Sequence, residues 1–199
     1  MPDPAGVRSV VLVGLMGSGK TTVGKKVAKL LGWRFVDGDA ELERRTGRSV
    51  AAWFEAEGEA GFRAAEADLL DAVLAEAESG EPLVFGAGGG VVVTERNRAR
   101  LSRPDVVGVY LHADPAFLAS RTQRKPHRPL LQGDPLEVLT EMYDARDGLY
   151  RSVSDAVIEV RPAHELGKKP KWRLAENVVE SLATFGVAGS PSDAEVSNR

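Results

Sequence analysis

The sequence predicts an α/β fold, a parallel sheet with helices on both faces. Three observations carry this. Short runs rich in β-branched residues alternate with longer helical patterns along the chain. The first run, Val10-Val11-Leu12-Val13, is apolar and reads as a strand. Between it and the first helical pattern lies Gly14-Leu-Met-Gly17-Ser18-Gly19-Lys20-Thr21, a glycine-rich loop placed as a phosphate-binding loop requires.

In chain order, a strand is expected at Ser9–Val13 and a helix at Lys20–Leu31. A second strand, Arg34–Asp37, leads into a helix at Ala40–Thr46. The helical pattern Val50–Ser79 follows, with Ser49 as its N-cap and a break near Gly58 or Gly61. A strand at Pro82–Gly86, a helix at Glu95–Ser102 and a strand at Val106–Leu111 come next. Asp114 caps a helix at Ala116–Arg121; the pattern resumes at Pro135–Ser154, then a strand at Ala156–Val160 and a helix at Lys171–Phe185. Residues 1–8 are expected to fray. Residues 186–199 are too poor in apolar side chains to order themselves and are expected as a disordered tail, leaving a single domain at 9–185.

At 199 residues the chain can bury a proper core. Its formal net charge of −3 argues against a nucleic-acid partner. It has no cysteine, which removes disulfides, thiolate metal sites and a cysteine nucleophile. No signal peptide and no apolar stretch of membrane-spanning length stands out, so a cytoplasmic protein is expected. His112, His127 and His164 are scattered and do not read as a metal site.

In parallel α/β sheets ligands bind beyond the carboxyl ends of the strands. After the first strand, the loop N–H groups and the helix start are suited to a β-phosphate, with Lys20 reaching the β- and γ-phosphates and the Thr21 hydroxyl placed for Mg²⁺. After the second comes Asp37-Gly38-Asp39. One carboxylate can hold Mg²⁺ through water and the other can take a proton from a substrate hydroxyl; the same residues also suit a turn and a helix cap. After the third comes Gly86-Ala87-Gly88-Gly89-Gly90, a place for backbone to approach a ligand, or a hinge. This strand ends without the acidic residue of a Walker B element, and position suggests that Asp37 takes over part of that task. Arg63 can fork onto a carboxylate with Glu66 bracing it one turn along, or the two form a solvated pair. The segment from Arg121 to Gly133, about 121–134, contains Arg124, Lys125, His127 and Arg128 among prolines, and reads as a mobile lid or a solvated basic loop.

With these residues together, the chain resembles the shikimate kinase family over about residues 8–160. The resemblance is carried by residues 14–24, Asp37-Gly-Asp39, Arg-Thr-Gly-Arg-Ser at 45–49, Phe62-Arg63-x-x-Glu66, Gly88-Gly89-Gly90, Arg128-Pro129-Leu130-Leu131 and Arg146-x-x-Leu149-Tyr150. It implies a three-layer αβα P-loop NTPase fold with a five-stranded parallel sheet, substrate-binding helices and a mobile lid. The implied reaction moves the ATP γ-phosphoryl group to the 3-hydroxyl of shikimate, toward chorismate and the aromatic amino acids. Gly17, Ser18, Gly19, Lys20, Thr21 and Thr22 would hold ATP, with Arg121 and Arg128. Thr21, and Asp37 through water, would serve Mg²⁺. Asp39, Arg63, Gly88, Gly89, Gly90 and Arg146 would bind shikimate, with Phe54 and Phe62 as apolar wall. Lys20, Asp39 and Arg128 would carry the catalysis, in a monomer that uses ATP and shikimate and no membrane.

Residues 161–171 do not match cleanly the family's adenine-side segment, where Arg161 is a candidate. Two other classes compete. A kinase for another small metabolite, such as gluconate, would share the loop and lid but not need this set of arginines and aspartate. A regulatory module that binds ATP without turnover would tend to lose one of Lys20, Thr21, Asp37, Asp39 or Arg128.

Overall fold

A computed structural model of the chain describes residues 6–122 and 134–187. The elements run β1 (Ser9–Val13), α1 (Lys20–Leu31), β2 (Arg34–Asp37), α2 (Gly38–Thr46), α3 (Val50–Ser79), β3 (Leu83–Gly86), α4 (Glu95–Leu101), β4 (Val106–His112), α5 (Pro115–Thr122), α6 (Pro135–Ser152), β5 (Ala156–Glu159), α7 (Val160–Glu165) and α8 (Pro170–Leu182). A 3₁₀ turn, Ala183–Phe185, follows.

The five strands form one sheet in the order β2-β3-β1-β4-β5, and every pairing is parallel. β1 lies at the centre with all its residues buried, which is why it shows no polar alternation, whereas the edge strand β5 alternates half-buried and exposed. The chain leaves β1 for the far edge at β2, returns through β3 and crosses to β4. In the register, Gly86 stands beside both Leu12 and Asp37. The ends of β1, β2 and β3 are therefore level, and the loops that leave them share one rim.

α1 packs against both the sheet and α8, burying Val23, Val27, Ala28 and Leu31 on one side and Leu174, Ala175, Val178 and Leu182 on the other. A Cβ at Gly24 would come 2.4 Å from the Phe35 ring, so α1 rests on the sheet at a distance only glycine permits. Gly58 has φ 67 and ψ −171 inside α3, the expected break. Ser49 caps α3 through the Ala52 N–H at 3.2 Å, and Asp114 caps α5 through the Phe117 N–H at 2.8 Å.

Several expected boundaries move. α2 begins at Gly38 rather than Ala40, because the Asp37 side chain accepts the Ala40 N–H at 3.3 Å and starts the helix earlier. α6 stops at Ser152, two residues short of the expected end. α7 was not expected: Val160 reads as strand, but Pro162 fits the first turn of a helix. Val7 is buried, and the Arg8 guanidinium donates to the Ala77 carbonyl at 3.1 Å, so these residues do not fray. At the other end Val187 is buried and its N–H reaches the Leu182 carbonyl at 3.2 Å, which extends the ordered body past 185. The expected lid at about 121–134, except its ends, and the expected tail from residue 188 lie outside the described residues. Among the described residues no helix is long and apolar enough to cross a membrane.

Candidate active site

The loop after β1 is shaped by glycines at positive φ. Gly14 has φ 137, and a Cβ there would lie 2.7 Å from the Leu111 carbonyl; Gly17 and Gly19 have φ 88 and 105. Gly19 is the N-cap of α1 and offers no side chain to its first turn, which contains no acidic residue. The free N–H groups and the positive dipole end of α1 therefore face the loop, as an anion needs. The Lys20 ammonium curls over the loop and donates to the carbonyls of Gly14 at 2.7 Å and Leu15 at 3.0 Å.

The Thr21 hydroxyl donates to Asp37 Oδ2 at 2.6 Å, while Asp37 Oδ1 caps α2. Asp37 thus caps a helix and also reaches the loop. Among the described residues no group of three or more His, Cys, Asp or Glu could hold a metal by itself. A hydroxyl and a carboxylate beside a phosphate loop nonetheless suit Mg²⁺, which takes few protein ligands and completes its shell with phosphate oxygens and water.

A cavity of about 440 Å³ opens above this rim, within the range of small-molecule sites. Its wall includes Gly17, Gly19, Lys20, Thr21, Thr22, Asp37, Asp39, Arg63, Gly88, Gly89, Gly90, Arg121 and Arg146, with Phe54 and Phe62 as apolar surface. These residues come from six segments of the chain. Ser18 is the exception: the residue is 2% exposed, its Oγ has no hydrogen-bond partner among the described residues, and it is not part of the wall. Any contact it makes with a ligand must come from its backbone. Arg128 lies outside the described residues.

At the end away from Lys20, Arg63 and Glu66 form an ion pair at 2.8 Å with side chains 14% and 9% exposed. This is not the solvated pair that their spacing also allowed. Burial raises the Glu66 carboxyl above its ordinary range, opposed by Arg63 and reinforced by Asp39. Gly88 lies where a Cβ would meet Glu66 Oε1 at 2.5 Å and Asp39 Oδ1 at 3.2 Å, and a Cβ on Gly90 would meet the Arg63 guanidinium at 2.2 Å. The triple glycine is bare because two carboxylates and an arginine close over it.

α6 supports the same loop from the far side. Arg146 Nη1 and the Tyr150 hydroxyl both donate to the Gly89 carbonyl, the first at 3.3 Å. Burial pushes the Tyr150 phenol up to about 12, so it remains a donor at neutral pH. Its ring packs on Tyr110 with centroids 5.0 Å apart, and the Tyr110 hydroxyl donates to Asp147 at 3.1 Å.

Arg161 does not reach the cavity; it is exposed and pairs with Glu165 at 2.8 Å and Asp114 at 3.4 Å. Sequence reasoning passed over Lys171, which lines the wall and donates to the Thr22 hydroxyl at 3.3 Å. The available signal was a basic residue in the first turn of a helix that has no acidic residue there.

The family model described as shikimate kinase matches residues 16–183. A shikimate kinase of Nitrosococcus oceani is 42% identical over 178 residues, covering 89% of this chain and 88% of that protein. One from Aromatoleum aromaticum is 48% identical over 151 residues, 75% of this chain and 83% of that protein. Among solved structures, shikimate kinase from Acinetobacter baumannii in complex with shikimate has a TM-score of 0.78 and 36% identity, covering 89% of this chain and 94% of that one.

Proposed function

The chain belongs to the shikimate kinase family, and from that premise we propose how its cavity transfers the ATP γ-phosphoryl group to the 3-hydroxyl of shikimate, on the route to chorismate and the aromatic amino acids. The observation that carries the reading is the polarity of the cavity. A phosphate-binding loop forms one end, and half-buried Arg63 and Arg146, exposed Asp39 and bare glycine backbone form the other.

Gly17, Ser18, Gly19, Thr21 and Thr22 hold the ATP phosphates through backbone N–H groups and hydroxyls, and Lys20 leaves the loop carbonyls for the β- and γ-phosphates. Thr21 and, through water, Asp37 would hold Mg²⁺, which would supply positive charge at the phosphate oxygens. Arg63 and Arg146 pair with the shikimate carboxylate, and the backbone of Gly88, Gly89 and Gly90 forms the floor beneath it. Asp39 binds the shikimate hydroxyls. As the 3-oxygen bonds to the γ-phosphorus, Asp39 takes its proton; the bond to the β-phosphate oxygen breaks and ADP leaves. Little covalent chemistry is asked of the protein, so positioning and charge are the main contributions. Arg121 serves the nucleotide and Arg128 the transferring phosphoryl group, assigned from the family resemblance.

The same reading makes the folded body one kinase domain with a lid at about 121–134. It places the protein in the cytoplasm as a monomer. The test is ADP release with ATP and Mg²⁺, offering shikimate beside gluconate, a nucleoside monophosphate and no acceptor. Turnover with shikimate alone is expected. Turnover with another acceptor would overturn the roles of Arg63 and Arg146, and ATP binding without any turnover would make the chain a regulatory module.

A further inference from the structure

The nucleotide end of the cavity has a second lysine that neither the phosphate-loop motif nor the family resemblance assigns. We propose that Lys171 is a nucleotide-binding residue of this chain, and that its ammonium meets the α-phosphate of ATP. The proposal rests on reading the cavity as an ATP site.

Position selects the ligand. Lys171 lines the cavity wall alongside Thr21, Thr22 and Arg121, and its Nζ lies 3.3 Å from Thr22 Oγ1. Phosphate-binding loops cradle the α- and β-phosphates with backbone N–H groups, while the loop lysine serves the β- and γ-phosphates. Lys20 is that lysine, at the first position of α1. Thr22 is the third residue of the same turn. A cation beside it stands next to the part of the phosphate chain that Lys20 does not serve.

The placement is rigid. α8 packs along α1, and the Lys26 ammonium lies 3.9 Å from the centre of the Trp172 ring, the residue after Lys171. The start of α8 is thereby held against the start of the phosphate helix.

The surroundings of Lys171 are also positive. Lys171 is the second residue of α8, whose first turn has no acidic residue, so its charge opposes the positive end of the helix dipole. Arg121 lines the same wall and donates to His164 Nδ1 at 3.2 Å. Burial, with Arg121 and Lys171, holds the His164 imidazole below its ordinary value, and a neutral ring can accept that bond. Three basic side chains, Arg121 of α5, His164 of α7 and Lys171 of α8, converge at this end of the cavity. A phosphate between Lys171 and Arg121 relieves their repulsion.

The test compares wild type, Lys171→Gln and Lys171→Arg by calorimetry or ligand-observed NMR with ADP, AMP and adenosine. Circular dichroism confirms that each variant is folded. In Lys171→Gln, ADP and AMP are expected to weaken by the same factor, about tenfold, and adenosine to change less than twofold. Lys171→Arg, which keeps the charge, is expected to stay within threefold of wild type. The KM for shikimate is expected to change less than twofold in both. Unchanged ADP affinity in Lys171→Gln would overturn the proposal. So would weaker ADP with unchanged AMP, which assigns the charge to the β-phosphate. Adenosine weakened as much as ADP would show a structural role instead. Wild-type protein that binds none of the three would refute the ATP reading itself, a separate result.

Discussion

Gly90→Ala tests the acceptor end of the cavity through a single methyl group. Gly90 is not among the glycines at positive φ, so alanine meets no backbone strain there. The obstacle is Arg63, whose Nη1 and Nη2 lie 2.2 Å, and Cζ 2.3 Å, from where the methyl carbon must sit. Carbon atoms need well over an ångström more, so the guanidinium has to swing away. That shift takes it from its present place beside Glu66, at 2.8 Å, and Gly90 toward Glu59, its other partner at 3.2 Å. A displaced guanidinium no longer meets the shikimate carboxylate, and loss of one partner of a desolvated, hydrogen-bonded charge pair costs about 2–5 kcal/mol. At about 1.4 kcal/mol per factor of ten, even the lower figure is about 30-fold. In a coupled assay of ADP release, the KM for shikimate is expected to rise at least about 30-fold, with the KM for ATP within threefold. A shikimate KM within twofold of wild type would show that Arg63 either does not face the acceptor or moves without consequence. At Gly89 the same methyl meets nothing closer than 3.7 Å, so a loss there would arise from the acceptor rather than from the protein.

Asp39→Asn is expected to leave ATP binding intact and remove most turnover, because the amide cannot take the hydroxyl proton; turnover close to wild type would remove Asp39 from the chemistry. Tyr150→Phe keeps the ring packed on Tyr110 but leaves the Gly89 carbonyl with Arg146 alone. Loss of one buried hydrogen bond costs about 1–3 kcal/mol, so the shikimate KM is expected to rise at least about fivefold while the ATP KM moves less than twofold; equal changes in both would mean that the hydroxyl does not specifically position the acceptor loop. Glu41, held by the Arg44 and Arg45 guanidinium groups against the opposing effect of burial, titrates at about 2 rather than the usual 4.5. An acid whose folded value is depressed stabilises the fold above its unfolded value and loses that contribution as pH falls toward the folded one. The difference in melting temperature between wild type and Glu41→Gln, which is small because the pair is at the surface, should be present at pH 7 and vanish near pH 2; a pH-independent difference would contradict the assignment.

Much of the site is legible in the sequence because its signals are local. The spacing of Gly14, Gly19, Lys20 and Thr21 needs only a strand before and a helix after it. Ser49 and Asp114 cap the helices that follow them, and Gly58 breaks α3 through its own backbone freedom. Arg63 and Glu66 are one turn apart, so their pairing was foreseeable, but their burial was not. α7 was missed because the β-branched Val160 continues the pattern of β5 while Pro162 disguises a helix start.

The sequence by itself determined the fold class, the phosphate loop and the chemical types gathered after each strand, since periodicity and turn chemistry act over a few residues. The tertiary structure alone decided which of these groups meet. Thr21 finds Asp37 because β1 and β2 end level on either side of β3. Tyr150 holds Gly89, 61 residues away, because α6 lies beside the glycine loop, and Lys171 reaches Thr22, 149 residues away, because α8 packs on α1. Such contacts follow from strand register and helix packing, which are properties of the whole core and are written in no single segment of it.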